Sequence, residues 1–409
     1  MRLIFVNRFY WPETPATGQL LTDLAEALAR RGDEVTVITS HSSDSERPAT
    51  ETRAGVTIRR VRSTQWMKAG IAGKAVDFAT FYLGAIWRLL HLARRETVVV
   101  AMTDPPLLGI GAWLVARVRG ARLIHWVQDI YPELAIKLTG QGWLSVLRPV
   151  RNLSWRRADD CVTLGTDMAG VLAAAGVATT KIVLIPNWAP EGVSAVPFAD
   201  ASALRLAWGL NGKFVVGYSG NLGRVHDLDP VLSVAEVLRD DPSIAFVFVG
   251  GGAQRAALEA SVAHRGLENI QFQPVQPRDR LAESLGVADI HLVTVFPGCE
   301  RFVFPSKLYG IAAVGRPVLF IGPGGSEVAR LVTDKNLGVA RPREDVAGIA
   351  ASIRRLAASR AESQHHAEAA LRFAAENDVA AAVAQWSARF DALNACRPGA
   401  TADTKLSAR

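Results

Sequence analysis

Cysteine is scarce in this 409-residue chain: Cys161, Cys299 and Cys396 are the only three, far apart and odd in number. That excludes a disulfide framework and a four-thiolate zinc site, and it fits a reducing cytoplasm. No stretch supplies the roughly 20 uncharged apolar residues that a membrane span requires. The nearest, residues 97–118, is interrupted by Asp104 and a Pro-Pro pair and reads as strand, loop and helix. The apolar opening RLIFV is too short for a signal peptide and reads as a first β-strand. After it comes no G-x-G-x-x-G, which argues against an NAD or FAD enzyme. Disorder is not the default, because 49% of residues are hydrophobic and 21% charged. Residues 397–409 are the exception, with Pro, Gly, Thr and Ser and little to bury, and are expected to be disordered.

Acid is what the first half lacks. Residues 1–186 carry 23 Lys+Arg against 16 Asp+Glu, whereas residues 187–409 carry 23 against 23, so the whole net charge of +7 lies in the first half. Residues 53–95 hold nine basic residues and a single acid, Asp77, interleaved with Trp66, Phe78, Phe81, Tyr82 and Trp87. Basic and aromatic residues mixed on helical segments suit an anionic bilayer surface, with Trp66, Lys68, Lys74, Phe81, Trp87 and Arg88 facing it. The alternative is that these aromatics are core. No recognition motif supports nucleic acid as the partner.

Short β-branched runs alternate with amphipathic helices throughout, the signature of parallel α/β layers. RLIFVN, EVTVITS, TVVVAM, RLIHWV, DCVTLG and IVLIPNW read as strands of a first sheet. The pattern restarts with KFVVGYSG and continues through AFVFVGGG, ADIHLVTV and PVLFIG. Two Rossmann-like domains are expected, 1–188 and 189–375, joined near Asn187-Trp188-Ala189-Pro190. Their strand ends would face a central cleft, where open α/β sheets bind ligands. A helix over about 376–395 is long enough to return to the first domain.

Several loops at strand ends suit an anionic or sugar ligand. Thr17, Gly18 and Gln19 stand at a helix N-terminus after the first strand, where they meet a phosphate or a sugar. In GYSGNLGRVHDLDP, Gly217, Gly220 and Gly223 free the backbone for close approach, and Arg224 offers a permanent fork of donors. In VFPSKLYGIAAVGRPVLF, Pro305 and Ser306 read as a helix start, with Ser306 capping it. Lys307 then adds a cation where the helix dipole is already positive, an arrangement that an anion explains and a solvated lysine leaves open. Asp227-Leu-Asp229 is read as a helix cap rather than a metal site, and no metal site is predicted. Asp129, just past the strand RLIHWV, is placed to hydrogen-bond a sugar hydroxyl or take its proton. His125, inside that strand, reads as structural.

Together these stretches resemble the bacterial family 4 glycosyltransferases of the GT-B fold, nearest the WcaI-like and N-acetylfucosamine-transferase-like branch of surface-polysaccharide synthesis. The resemblance rests on FYWPETPATGQLLTDLAEALARRGDEVTVIT, TDPPLLGIGA, VQDIYPELA, YSGNLGRVHDLDPVL and FPSKLYGIAAVGRPVL, in order over residues 1 to about 335. It implies a retaining, metal-independent enzyme without cofactor that moves a hexose from a UDP- or GDP-sugar to a lipid-linked saccharide. It further implies a place in the cytoplasm, peripheral on the inner face of the plasma membrane. By the same resemblance Arg224 and Lys307 hold the donor pyrophosphate, with Gly18, Gly220, Asn221, Gly223, Ser306, Leu308 and Glu327 on the donor side. Thr17, Gln19, Asp129 and Glu133 fall on the acceptor side, and Asp129 joins Arg224 and Lys307 as catalytic. One departure stands out. Relatives carry an E-x7-E pair at positions that here are Phe302 and Gly310, with Glu300, two residues from the first, and Glu327 as candidate substitutes. A nucleotide-sugar 2-epimerase and an inactive nucleotide-sugar-binding scaffold share the layout and stay open as alternatives.

Overall fold

The computed structural model describes residues 1–13, 15–41, 47–64, 70–198 and 203–395, with the side chains of 70–72, 74 and 75 left aside. The expected disordered tail, 397–409, lies outside the described residues. Two units emerge: 1–133 with 142–186 and the chain from Val379 onward, and 134–141 with 187–378.

Unit 1 contains β1 (Arg2–Val6), β2 (Glu34–His41), β3 (Thr50–Arg53), β4 (Val56–Arg62), β5 (Thr97–Ala101), β6 (Arg122–Val127), β7 (Asp160–Thr163) and β8 (Ile182–Leu184). They form one sheet in the order β3-β4-β2-β1-β5-β6-β7-β8, parallel except for β3 against β4. β1 and β5 lie near its middle, and their continuous apolar runs are buried on both faces, as parallel interior strands require. At the edge, TETR and VTIRRVR make a hairpin. Arg53, on the edge strand β3, and Arg59, Arg60 and Arg62, on β4 beside it, therefore sit on strands and not on helices, contrary to the sequence reading.

The helices of this unit are α1 (Ala16–Arg30), α2 (Gly70–Leu92), α3 (Leu108–Arg119), α4 (Glu133–Thr139), α5 (Arg148–Arg157) and α6 (Thr166–Ala174), although most of α4 groups with unit 2. Helices α2 and α3 cover one sheet face, setting Phe81, Ala85, Leu89, Leu108 and Ala112 against Ile4, Val6, Val99 and Ala101. Their close approach depends on Gly111, where a Cβ would stand 2.5 Å from Ile86 Cδ1.

Unit 2 contains β9 (Phe214–Ser219), β10 (Ile244–Val249), β11 (Ile270–Gln273), β12 (Ile290–Thr294), β13 (Val318–Ile321) and β14 (Gly338–Arg341). The order β11-β10-β9-β12-β13-β14, all parallel, is the doubly wound order in which the first strand of the unit sits beside the fourth. Its helices are α7 (Ala203–Ala207), α8 (Asp229–Val237), α9 (Arg255–Arg265), α10 (Leu281–Gly286), α11 (Lys307–Ala313), α12 (Glu327–Asp334), α13 (Val346–Ala358) and α14 (Arg360–Glu376). Successive connections leave β9 and β12 in opposite directions, so a crevice opens at their carboxyl ends. The β9–α8 loop and the segment leading from β12 into α11 meet at that point.

The chain then returns to unit 1 as α15 (Val379–Ala395). Trp386 is fully buried there, 4.9 Å from Trp126 between ring centroids, and Phe390 meets Phe5 edge-on at 6.5 Å. Arg389 grips the carboxylate of Asp160, which has no solvent exposure.

Candidate active site

At the crevice of unit 2, the chain leaves β9 through Gly220 with φ +128°. Gly250 ends β10 with φ +142°, and a Cβ there would stand 2.1 Å from the Gly220 carbonyl oxygen. The two strand ends therefore touch backbone to backbone. Beyond Gly220 the loop is pinned on several sides. Leu222 N–H donates to Gly251 O at 2.7 Å, and the Tyr218 hydroxyl donates to Asn221 O at 2.8 Å. Gln254 Nε2 donates to the carbonyls of Gly223 (2.6 Å) and His226 (2.9 Å). A loop fixed in this way needs little rearrangement when a ligand arrives.

Lys307 opens α11 beneath this loop. Its Nζ is enclosed, has no hydrogen-bond partner among the described residues, and lies 3.4 Å from the centroid of the Tyr218 ring. It would be 3.7 Å from a Cβ at residue 220. Burial holds its pKa well below the ordinary lysine value. Burial, and next the field of Lys307, lower His226 to about 3, and the neutral ring donates Nδ1–H to Thr294 O at 2.8 Å. An enclosed ammonium without an acceptor is costly, and an anion at Gly220 would relieve it. Arg224 stands exposed on the same loop and has no ion pair among the described residues.

Several donor-side expectations change. Ser306 precedes α11, but its side chain makes no cap hydrogen bond; it adopts helical angles that turn the hydroxyl away from that role. Leu308 is wholly buried in the core, so only its backbone can face a ligand. Asp227 meets Arg343 at 3.0 Å, and Asp229 lies in the first turn of α8, where its carboxylate favours the dipole; neither makes a side-chain cap hydrogen bond to the helix. Where relatives carry the second acid, Gly310 is buried, and a Cβ would meet Leu285 and Pro190 at 3.5 and 3.8 Å. A carboxylate would be poorly solvated there. Glu300 instead turns inward, with an enclosed Oε2 that has no hydrogen-bond partner among the described residues. Glu327 begins α12 and lies close enough to Tyr309 to add to the upward shift that burial causes in that phenol.

In unit 1 the equivalent point lies between β1 and β5, and Asp104 stands at it. Asp129 follows β6, the next strand, and its N–H donates to Thr103 Oγ1 at 3.1 Å. Burial first, and the charge of Asp104 second, push Asp129 up to about 7. Burial likewise raises Asp104 to about 6, opposed by Arg8. Two carboxyls that disfavour joint ionisation make a proton-accepting pair near neutral pH. Sequence reasoning missed Asp104, although TDPP after a strand was a visible signal. Beside Asp129 is a small cavity, about 20 Å³ and so large enough for a water, lined also by Met102, Tyr131, Arg151 and Ser154. His125 is structural, as expected: it is buried in β6 with Nε2 3.2 Å from Ser154 Oγ.

Thr17 and Gln19 are half-buried in the first turn of α1. Gly18 is buried for packing, since a Cβ would lie 3.0 Å from that of Phe9. Glu133 is not a free acceptor-side carboxylate. Arg151 holds it through two bonds of 2.8 and 2.9 Å, and Arg148 adds a third contact at 3.1 Å. Phe81 does not face outward either. Helical spacing aligns it with Ala85 and Leu89, and it has 0% exposure in the core. Trp87 is exposed and Arg88 half-exposed beside it, with the guanidinium 5.8 Å from the indole centroid. Trp66, Lys68 and the Lys74 side chain lie outside the described residues.

Among the described residues, no three His, Cys, Asp or Glu are grouped to hold a metal ion, and no helix is long and apolar enough to cross a membrane. Residues 17–188 match the family described as Glycosyl transferase 4-like domain, and residues 203–373 match Glycosyl transferases group 1. WcaI of Escherichia coli (strain K12), named for glycosyl transfer in colanic acid biosynthesis, is 28% identical over 87% of this chain and 91% of its own length. A GDP-mannose-dependent alpha-mannosyltransferase of Mycobacterium tuberculosis is 26% identical over 84% of each chain. Anabaena HepE, solved with UDP and glucose, superposes with a TM-score of 0.74 at 15% identity, covering 96% of this chain and 100% of HepE. WaaG, a lipopolysaccharide-biosynthesis glycosyltransferase, gives 0.72 at 15% identity over 95% and 99%.

Proposed function

The chain belongs to the family 4 glycosyltransferases of the GT-B fold, and on that premise we propose that it transfers a hexose, with retention, from a nucleoside-diphosphate sugar to a lipid-linked saccharide. The observation that carries this reading is Lys307, an enclosed ammonium with no hydrogen-bond acceptor among the described residues, aimed at the Gly220 turn. The donor diphosphate is the anion it awaits, and Arg224 supplies a second cation from the loop above. HepE, a fold neighbour, is solved with UDP, which supports a nucleotide donor.

The slow step is departure of the diphosphate as the bond from its oxygen to the anomeric carbon loosens. Negative charge grows on the β-phosphate, and Lys307 and Arg224 stabilise it from fixed positions without a metal or other cofactor. The acceptor hydroxyl then bonds to the anomeric carbon and gives its proton to the Asp129 carboxylate. Burial and Asp104 hold that carboxylate basic enough to accept it. Glu300, with its inward oxygen, supplies the acidic contact to the donor that Phe302 and Gly310 do not. The product belongs to exopolysaccharide, capsule or O-antigen synthesis on the cytoplasmic face of the plasma membrane.

Thermal unfolding against UDP-, GDP-, dTDP- and CMP-sugars tests the donor site. A ligand at about 100 times its dissociation constant stabilises by roughly 2.7 kcal/mol, and one nucleotide class is expected to do so. An undiminished shift in the Arg224→Ala, Lys307→Met double variant would overturn the assignment.

A further inference from the structure

Three helical segments of unit 1 contain no acid at all. Residues 78–95, 108–119 and 142–157 carry nine arginines and neither aspartate nor glutamate. They correspond to most of α2, to α3, and to the 3-10 turn Gly142–Leu147 continuing into α5. α3 packs between α2 and α5, so the three form one layer over the sheet.

The outer side of that layer is apolar. On α2, Leu83, Trp87 and Leu90 are exposed at spacings of four and three, and Arg94 follows four residues later. On the third segment, Val146, Val150, Leu153 and Arg157 repeat the same spacing and exposure. Between them, α3 presents Leu114 and Val118, the latter 75% exposed, beside Arg117. Trp143 stands 68% exposed where the third segment begins. Exposed apolar rows shared by three adjacent elements mark an interaction surface, where scattered single residues would not.

Its ends differ. Each helix runs back toward the amino end of the next strand, so Arg94, Arg95, Arg117, Arg119, Arg156 and Arg157 gather at one edge. Arg119 is tied there by donating Nε–H to Ala93 O at 2.9 Å. At the other edge α3 begins four residues after Asp104.

We infer that this three-helix face, and not α2 alone, is the surface by which the protein lies on an anionic bilayer. The apolar rows enter the headgroup–acyl boundary, and the arginine edge pairs with phosphate. Charge complementarity selects this occupant: Glu133 neutralises Arg148 and Arg151, but the seven other arginines of these segments would repel a second copy of the same face. The inference rests on the proposed lipid-linked acceptor for its purpose, since a lipid held under this face would bring its saccharide to Asp104 and Asp129. Docking itself is read without turnover.

The test is flotation of the full chain with vesicles of phosphatidylcholine, with and without an equal share of phosphatidylglycerol. Binding is expected to be at least about tenfold tighter to the anionic vesicles. Val118→Glu and Trp143→Ala, neither of them on α2, should each weaken it by about tenfold, while Val237→Glu in unit 2 should not. Melting temperature and the donor-induced shift should stay unchanged in all three, which separates this inference from the donor assignment. Wild-type binding by Val118→Glu and Trp143→Ala would overturn it. So would a dimer in sedimentation that Val118→Glu dissociates, or binding to anionic vesicles that salt abolishes and neither apolar variant affects.

Discussion

Replacing Lys307 by methionine should move stability and activity in opposite directions. Methionine keeps the length and most of the volume of the side chain, so no large cavity opens against Tyr218. What disappears is an ammonium enclosed without a hydrogen-bond acceptor among the described residues, favoured only by the Tyr218 face at 3.4 Å. A desolvated cation–π contact contributes about 2 kcal/mol, less than the several kcal/mol that removal of an ion from water costs. The apo protein should therefore gain about 1–3 kcal/mol at neutral pH. For a unit of roughly 200 residues that is a rise of about 2–12 °C in Tm. Turnover should fall about 10²–10³-fold, equivalent to about 2.7–4 kcal/mol of lost transition-state stabilisation.

The sign extends to pH. Lys307 has a folded pKa below its unfolded one, so the unfolded chain binds more protons between the two values. Its penalty on apo stability is largest below the folded pKa and fades as pH rises toward the ordinary lysine value. At a pH between those two values, donor binding should take up a proton, measurable by calorimetry in buffers of different ionisation enthalpy. Scanning calorimetry, that uptake and single-turnover kinetics on Lys307→Met form one experiment. A lowered apo Tm with near-normal turnover would refute the reasoning and leave Lys307 as a structural prop for Tyr218.

Other outcomes are fixed by the same geometry. Asp129 must be ionised to take a proton, so kcat/KM should climb with pH through about 7, and Asp104→Asn should move that limb to lower pH by removing a like charge; an unmoved limb would uncouple the pair. Glu133→Gln leaves Arg151 buried without its carboxylate and should cost about 3 kcal/mol of stability in denaturant titration, with the donor-induced shift intact. Trp386→Ala should cost about 3–5 kcal/mol, read as an early transition of unit 1 alone. Arg224→Ala, on an exposed side chain, should leave Tm unchanged and lower turnover about 10²-fold.

Much of the architecture was legible because parallel strands buried on both faces write themselves as unbroken apolar runs, as RLIFV and TVVVA do. The β3–β4 hairpin was not, because strands at the margin of a sheet tolerate charge, and TETR and VTIRRVR read as a polar basic stretch. Lys307 stood out by sign alone, a cation at the positive end of a helix. The absence of an acceptor around it could not be read, since that depends on Tyr218 and Gly220 from another strand. Asp104 was visible as a residue but not as a partner of Asp129, because the two meet only when β5 and β6 pair. Glu133 and Phe81 were misplaced for a related reason. Arg151 and the β-sheet, which claim them, come from elsewhere in the chain.

The return of α15 sets an order on biosynthesis. Residues 187–378 emerge from the ribosome as an uninterrupted stretch holding all six strands of their sheet, and they can complete that sheet as they appear. The first 186 residues emerge earlier but finish later. Until Trp386, Arg389 and Phe390 are synthesised, Trp126 and Phe5 have an uncovered flank and Asp160 lacks its guanidinium. The earlier-made unit is thus the last to close, and a nascent chain stalled before residue 379 would offer that flank to chaperones while its second unit is already folded.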